Sequence, residues 1–343
     1  MDVELSYVTV FVVAAVSAAV LTPVAARLGR RLGLVDRPGG RRAHKGEVPR
    51  LGGVGLFFPF MLALAVGLAF RIPTADPNEP LRLLGLVLGS VWMFLVGLAD
   101  DRWDLPPLVQ LAAQLMAGAI AILTLIFVER VNNPLTDRVL VFPPALVVGL
   151  TMFWVVGMIN TVNWLDGLDG LAVGVGAILS LVLAIHMHRV GQPSVAILPL
   201  ALLGATVGFL PYNFHPARVF IGSAGALFLG YALGCLGIIA GARVATVLLV
   251  MGVPIVDVAW QIFDRIRRRR SPARADRGHL HFRLLDMGLS QRAIVLVYWT
   301  FCGLFGLLAL IISSRLYKLV ALLVLGGVVV AGLVFLSHHR RET

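Results

Sequence analysis

Two groups of acidic and amide side chains interrupt a chain that is otherwise mostly apolar. Each follows an apolar run long enough to cross a bilayer, where carboxylates are costly unless they face a wet cavity and bind something. Oxygen ligands of this kind suit Mg²⁺, which is usually held by one or two carboxylates while substrate phosphates complete its shell. The alternative is helix capping and loop shaping, although two such groups among only 18 acidic residues exceed what capping requires. The groups are Asp100, Asp101 and Asp104, and then Asn160, Asn163, Asp166 and Asp169.

The composition indicates a polytopic membrane protein. Of the 343 residues, 59% are hydrophobic and 14% are charged. Runs of about 17–25 apolar residues are long enough to span a bilayer as helices. The first run is too long for a cleaved signal peptide and lacks a small-residue cleavage site, so we expect it to remain. We predict an all-α bundle, a single transmembrane domain over 1–343, with eleven spans at 5–27, 51–70, 81–99, 107–128, 141–160, 170–187, 194–211, 222–241, 244–263, 293–313 and 317–337.

The distribution of Lys and Arg predicts which helix ends face the cytoplasm. The segments 27–50 and 265–292 are rich in basic residues, and basic connections stay inside. With both inside, the N-terminus lies outside and the C-terminus is cytoplasmic. Both acidic groups then fall on the cytoplasmic face together with Arg102, Arg218, Arg340 and Arg341, and the other eight basic residues are scattered over the opposite face. We therefore expect a site on the inner side of the cell membrane.

Basic and histidine side chains accompany the carboxylates on that face. In the segment 41–53, His44 and Arg50 lie among Gly and Pro residues that shape a loop, and we expect them to bind a phosphate-bearing substrate. The arginine run 267–270 is better explained by topology or by contact with anionic lipid. A later loop contains two histidines, but a zinc site would need a further Cys or His, so phosphate binding is favoured. Its candidate residues are Arg277, His279, His281 and Arg283.

The segment 211–226 combines prolines and glycines at the foot of an apolar run. Irregular backbone at membrane depth is tolerated only where it lines a cavity. Asn213 and Phe220 lie in this segment, and we expect both to contact substrate. An aromatic ring here is able to stack on a nucleobase, although packing is the commoner role of such a ring.

Together these segments resemble the polyprenyl-phosphate N-acetylhexosamine-1-phosphate transferases, glycosyltransferase family 4, over most of the chain. The resemblance implies that the phosphate of a membrane polyprenol attacks the β-phosphate of a UDP-amino sugar. UMP leaves, and a polyprenyl-diphospho-sugar remains in the bilayer as the first membrane step of cell-wall or surface glycan synthesis. The shared patterns are Pro-Arg-x-Gly-Gly at 49–53, Asp-Asp-x-x-Asp at 100–104, Asn-x-x-Asn-x-x-Asp-Gly-x-Asp-Gly-Leu at 160–171 and His-x-His at 279–281.

The resemblance also implies roles for single residues. Asp100 and Asp101 match an acidic pair that activates the lipid phosphate or helps to hold metal, Mg²⁺ or alternatively Mn²⁺. Asp166 and Asp169 match residues near the sugar and the uracil, so these four aspartates are the catalytic candidates. The further implied roles are metal binding for Asp101 and Asn163, uracil stacking for Phe220, and diphosphate contact for His279 and His281; Asp104 and Asn213 complete the candidate substrate contacts.

The late loop resembles the branch that uses UDP-GlcNAc or a related UDP-sugar, because the branch that uses UDP-MurNAc-pentapeptide has consecutive histidines there. Two positions depart from the family. Ser223 replaces an Asp that is a principal Mg²⁺ ligand, and Phe282 replaces a further His. A hydroxyl is a weaker ligand than a carboxylate for a hard cation. Either Asp101 takes over the metal, or activity is reduced, or the chain is a paralogue that binds polyprenyl phosphate or nucleotide without turnover.

The expected partners are a UDP-N-acetylhexosamine, a polyprenyl phosphate and the membrane, with no nucleic acid. A homodimer is left open. A transporter is the other class compatible with many apolar helices. We disfavour it because transporter sites usually lie near the midplane between repeats, whereas the carboxylates here gather at one face and the sequence contains no visible repeat.

Overall fold

The computed structural model describes residues 3–36, 46–74, 76–241, 244–267, 269 and 278–339 as a helical bundle with two short antiparallel hairpins. The elements are α1 (Val3–Arg31), β1 (Val35–Asp36), β2 (Val48–Pro49), α2 (Gly52–Ala69), α3 (Glu79–Trp103), α4 (Pro107–Leu123), β3 (Arg130–Asn132), β4 (Val139–Val141), α5 (Pro144–Leu165), α6 (Leu171–Arg189), α7 (Pro193–Asn213), α8 (Gly222–Ile239), α9 (Val244–Val250), α10 (Gly252–Arg267), α11 (Leu280–Asp286), α12 (Gln291–Ile311) and α13 (Arg315–His339).

Each predicted apolar segment corresponds to helix in the structure. Among the described residues, nine helices are long and apolar enough to cross a membrane: α1, α2, α3, α5, α6, α7, α8, α12 and α13. Helix α4 is apolar but has only 17 residues. The chain is therefore a polytopic helical membrane protein, as its composition predicts.

The predicted single helix over 244–263 is instead two helices. Helices α9 and α10 meet at a bend of 82°. Gly252 begins α10, and a Cβ at this position would lie 2.3 Å from a methyl carbon of Leu325 in α13. Pro254 follows in the first turn and has no N–H to continue the hydrogen-bond ladder of α9. A count of apolar residues records composition alone, so it gives no sign of the bend.

Helix α8 is the centre of the bundle, and all its residues from Ala224 to Ile239 are buried. Small residues let its neighbours approach closely. A Cβ at Gly97 of α3 would lie 2.3 Å from Cα of Ala224, and a Cβ at Gly230 of α8 would lie 2.7 Å from Cα of Ile159 in α5. The ends of α3 and α5 therefore lie beside the beginning of α8. This end of the bundle carries both acidic groups and is called the acidic end below.

The first hairpin is attached to the same place. The Phe220 N–H donates to the Pro49 carbonyl at 2.8 Å, and the Gly52 N–H donates to the Phe220 carbonyl at 3.0 Å. A Cβ at Gly52 would lie 2.3 Å from the Phe220 carbonyl oxygen, so the close approach requires glycine. These bonds hold Arg50, which lies between Pro49 and Gly52, at the foot of α8.

We expect Gly97→Ala to destabilise the protein by about 1–3 kcal/mol, because the added methyl group meets backbone atoms that cannot rotate away. The measurement is thermal unfolding in detergent. Gly149→Ala is the matched control, since a Cβ there has no neighbour within 4 Å. We expect this control to stabilise the protein by no more than about 1 kcal/mol, because alanine is a better helix former than glycine. Equal unfolding midpoints for the two variants would contradict the close packing of α3 on α8.

Candidate active site

Asp101 connects the end of α3 to the beginning of α8. Its Oδ1 accepts the Ser223 N–H at 2.9 Å, and its Oδ2 accepts the Ala224 N–H at 3.0 Å. The first N–H groups of a helix have no partner within the helix, and a negative charge there is stabilised by the helix dipole. The Asp101 side chain is 1% exposed, with Nε of Arg50 3.9 Å from Oδ1. Asp101 therefore caps a helix end, which was the alternative considered in the sequence analysis. The expectation that its carboxylate faces a wet cavity is wrong.

Gly222 makes this junction sterically feasible. Its φ is +68°, a backbone conformation that residues with a Cβ rarely adopt. A Cβ there would lie 2.2 Å from the Arg50 carbonyl oxygen and 2.7 Å from Oδ2 of Asp101. The chain can turn into α8 at this place, against Arg50 and Asp101, only with glycine.

The other two acids of the first group differ in their surroundings. Asp100 Oδ1 accepts the Leu105 N–H at 3.0 Å and Nε2 of Gln110 at 2.8 Å, and these bonds fix the turn between α3 and α4. Asp104 ends α3 in the left-handed conformation, with φ of +47°, and its side chain is exposed. Among these three acids, Asp104 is therefore the one most open to solvent.

Asn163 and Asp166 are the polar residues of the second group whose oxygens are uncommitted. They lie three residues apart at the end of α5, so they share one helix face. Neither side chain hydrogen bonds to another residue that the structure describes. Burial raises the pKa of Asp166 well above its ordinary value, and the charges of Asp101 and Asp169 raise it further while Arg50 opposes them. Excess negative charge of this kind favours a cation.

Asn160, by contrast, has a structural role. Its Nδ2 donates to Oε1 of Gln114 at 2.6 Å and thereby joins α5 to α4. The two asparagines of the motif are therefore not equivalent. The amide oxygen of Asn163, and not that of Asn160, is available to a ligand.

Asp169 and Asn213 fasten the loop after α5 to the loop before α8. Asp169 Oδ2 accepts the Ala217 N–H at 3.0 Å and lies 2.8 Å from Nδ1 of His215. Asn213 Oδ1 accepts the Gly170 N–H at 3.1 Å, and its Nδ2 donates to the Val219 carbonyl at 3.0 Å. Asn213 is only 2% exposed, so its polar atoms are used inside the protein. The sequence prediction gave no role to His215, although it lies in the proline-rich segment singled out there.

The predicted His-x-His pair lies at the start of α11 and depends on a carboxylate that the sequence analysis missed. Asp257 of α10 accepts the Leu280 N–H through Oδ1 at 2.9 Å, and its Oδ2 lies 3.0 Å from Nδ1 of His279. The rings of His279 and His281 stack with centroids 5.6 Å apart. A carboxylate within an apolar run was the signal that could have identified Asp257.

His281 connects α11 to the loop that follows α5 and carries Asp166 and Asp169. A Cβ at Gly167, the residue after Asp166, would lie 2.4 Å from Nε2 of His281. His281 is 1% exposed, and neither ring nitrogen has a hydrogen-bond partner among the described residues. The pKa of His281 is lowered to about 3, because the effect of burial, together with a smaller effect of nearby His279, outweighs the opposing charge of Asp257. The imidazole is therefore neutral near pH 7.

The remaining predicted contacts are placed as follows. Arg283 donates from Nε to the Gly278 carbonyl at 2.6 Å and from Nη1 to the Leu333 carbonyl at 3.4 Å, so it fixes the position of α11. Phe220 is partly buried at the entrance to α8. His44 and Arg277 lie outside the described residues.

The charges of Asp101, Asp166, Asp169 and Arg50 lie close enough to interact, although these residues come from separate parts of the chain. Among the described residues, no three His, Cys, Asp or Glu side chains are grouped to hold a metal alone. Mg²⁺ is commonly bound by one or two carboxylates together with water and substrate phosphates. The uncommitted oxygens of Asn163 and Asp166 fit that incomplete type of site.

Fold and site together define a polytopic membrane protein with an acidic site at one end of its bundle. A profile described as Glycosyl transferase family 4 matches residues 83–241. A probable undecaprenyl-phosphate N-acetylglucosaminyl 1-phosphate transferase of Bacillus subtilis is 30% identical over 318 residues, covering 90% of this chain and 85% of the relative. A decaprenyl-phosphate N-acetylglucosaminephosphotransferase of Mycobacterium tuberculosis is 34% identical over 339 residues, covering 89% and 82%.

A third relative, the phospho-N-acetylmuramoyl-pentapeptide-transferase of Moorella thermoacetica, is 34% identical over 318 residues, covering 84% of this chain and 92% of the relative. The chain belongs to glycosyl transferase family 4. The family resemblance of the sequence motifs is thereby confirmed.

The buried neutral His281 predicts a loss of stability in acid. Between the unfolded pKa near 6.5 and the folded pKa of about 3, the unfolded chain binds a proton that the folded chain excludes. Stability therefore falls as the pH falls through 6.5, by roughly 2 kcal/mol between pH 7.5 and pH 5 for this group. Thermal unfolding at the two pH values should show a smaller acid shift for His281→Asn than for the unmodified protein. His188→Asn, at an exposed position, is the control and should keep the full shift.

Proposed function

We propose that this protein transfers GlcNAc-1-phosphate from UDP-GlcNAc to a polyprenyl phosphate and releases UMP. The observation that carries the proposal is the pair of uncommitted oxygen donors on Asn163 and Asp166, beside the buried Asp101 and the cation Arg50. A dication held there with the diphosphate of a nucleotide sugar would offset the excess negative charge. The names of the B. subtilis and M. tuberculosis relatives support the same substrates.

Phosphoryl transfer depends mainly on positioning and on neutralising charge, since the protein does little covalent chemistry. Mg²⁺, with Mn²⁺ as the alternative, would supply charge neutralisation at the diphosphate. In our proposal Asn163 and Asp166 hold the metal. Asp101 contributes by fixing the foot of α8 and by adding negative charge near the metal.

The other predicted site residues take part in two ways. Arg50 and the histidine pair face the diphosphate, and Phe220 provides the uracil platform. Asp100, Asp169, Asn213 and Arg283 act as positioning residues, because their polar atoms already hold loops together. Asp104 contacts substrate from the solvent side. His44 and Arg277 remain candidate substrate ligands on the strength of the sequence motif.

We further propose that the acidic end faces the cytoplasm in the cell membrane, with the N-terminus outside. The Lys and Arg bias of the connecting segments supports this orientation. It also places the site where soluble UDP-sugars are made, while the lipid substrate keeps its chain in the bilayer. The whole chain, 1–343, then forms a single transferase domain.

A second candidate is transfer of phospho-MurNAc-pentapeptide, favoured by the 34% identity to the M. thermoacetica relative. The late loop argues against it, because His279 and His281 are separated by Leu280. Purified protein given undecaprenyl phosphate and Mg²⁺ should release UMP with UDP-GlcNAc and not with UDP-MurNAc-pentapeptide. Release without any prenyl acceptor would indicate a hydrolase, and no release at all would indicate a binding paralogue.

Asp166→Asn should lower turnover about 100-fold or more, because it removes the carboxylate that holds the metal in our proposal, and with it the neutralisation of the diphosphate. The readout is UMP formed with UDP-GlcNAc and polyprenyl phosphate. Asp137→Asn is the matched control, since Asp137 is an exposed acid paired with Arg315 outside the site. Full activity of Asp166→Asn would place the metal and the diphosphate elsewhere.

Ser223→Asp should lower the Mg²⁺ concentration that gives half-maximal activity. The structure places residue 223 in the first turn of α8, with its N–H bound to Asp101. A carboxylate there gains far more from a dication than a hydroxyl does. The measurement is a Mg²⁺ titration of UMP release. A folded variant that loses activity would show that the metal site has been rebuilt around other residues in this chain.

A further inference from the structure

A cavity of about 710 Å³ lies at the end of the bundle opposite the acidic site. It is bounded by the first turn of α3, the hairpin β3–β4, the end of α8 and the beginnings of α9 and α13. Successive helices of the bundle alternate in direction, so these segments share one end while the end of α3 and the beginning of α8 lie at the other. The cavity is therefore separate from the site described above.

Cations from distant parts of the sequence converge on this cavity: Arg82, Arg130, Arg315 and Lys318. Asp76 pairs with Arg82, and Asp137 pairs with Arg315, so two of the guanidinium groups are held in place. The side chain of Arg130 has no ion pair or hydrogen bond with another described residue. Glu129 is the one acid among the described lining residues. The wall thus carries more positive than negative charge.

Most of the remaining wall is apolar. It includes Leu125, Phe127, Val244, Leu248, Leu319 and Leu322. A small free anion makes no use of such a wall, whereas an amphiphile buries its chain there while its headgroup meets the cations. Helix α13 supplies part of the wall, and only 11% of the residues in its most apolar stretch are buried, so most of its apolar surface is open to contact with lipid. Lys and Arg at the ends of membrane helices direct their charged groups toward the headgroup region.

We propose that this cavity binds a lipid with a phosphate headgroup. Arg130 and Lys318 bind the phosphate, and the aliphatic side chains of α9 and α13 contact the hydrocarbon chain. Clustered Lys and Arg side chains near a membrane surface attract anionic lipid headgroups. The volume of about 710 Å³ is within the range of sites that take a small molecule or a headgroup with part of its chain. A phospholipid and a prenyl phosphate share this chemistry, and the experiment distinguishes them.

The test is native mass spectrometry of the delipidated full-length protein, titrated separately with phosphatidylglycerol, undecaprenyl phosphate and diacylglycerol. The cavity variant is Arg130→Gln with Lys318→Gln. The control is Arg71→Gln with Arg138→Gln, which removes the same charge from the same end of the bundle at positions that do not line the cavity. Arg82 and Arg315 are left unchanged because their ion pairs hold the walls.

We expect the unmodified protein and the control to bind a phosphate-headed lipid about tenfold or more tightly than the cavity variant does. The lipid that shows this difference identifies the source, phospholipid or prenyl phosphate. Equal affinity in the cavity variant and the control overturns the proposal. Equal binding of diacylglycerol, or displacement of the lipid by millimolar inorganic phosphate, overturns it as well. Unchanged unfolding midpoints and unchanged UMP release confirm that the variants are folded.

Discussion

The structure depends on one buried interaction, the contact between the Asp101 carboxylate and the first N–H groups of α8. A helix at the centre of a membrane bundle must satisfy its terminal N–H groups without water, because nothing in the hydrocarbon can do so. Asp101 satisfies two of them at once, through separate oxygens. Its negative charge is in turn stabilised by the helix dipole and by Arg50. The last turn of α3 and the foot of α8 are therefore held together.

This attachment determines where the uncommitted polar groups lie. Helix α8 is buried along almost its whole length. Helices α3 and α5 pack closely against it, because glycine and alanine lie at the points of contact. The end of α5 then reaches the same level as Asp101. Asn163 and Asp166 lie on that last turn, and their side chains have no hydrogen-bond partner within the part of the chain that the structure describes. Asp101 thus holds the helices together, whereas Asn163 and Asp166 are the residues available to a ligand.

The sequence could predict the apolar segments and the end at which the polar groups gather, because both follow from local composition. Segment lengths also indicated the helical class. The partners of Asp101 could not be predicted, because Ser223 and Ala224 offer backbone N–H groups that are the same for any residue type. The contacts of Asn213 with Gly170 and Val219 could not be predicted either, because they also involve backbone groups. At the bend before α10, Gly252 packs closely against Leu325 of α13, a residue far along the chain.

Ser223 affects the electrostatic balance of this junction. The family resemblance places an Asp at position 223, in the first turn of α8, where the backbone N–H already meets the Asp101 carboxylate. Two carboxylates so close would repel each other in a poorly solvated place unless a cation lay between them. With a serine, the junction carries a single negative charge, which the helix dipole and Arg50 can offset without a metal. In our proposal the substitution therefore makes the foot of α8 independent of a dication for its stability, and it leaves metal binding to the oxygens of Asn163 and Asp166.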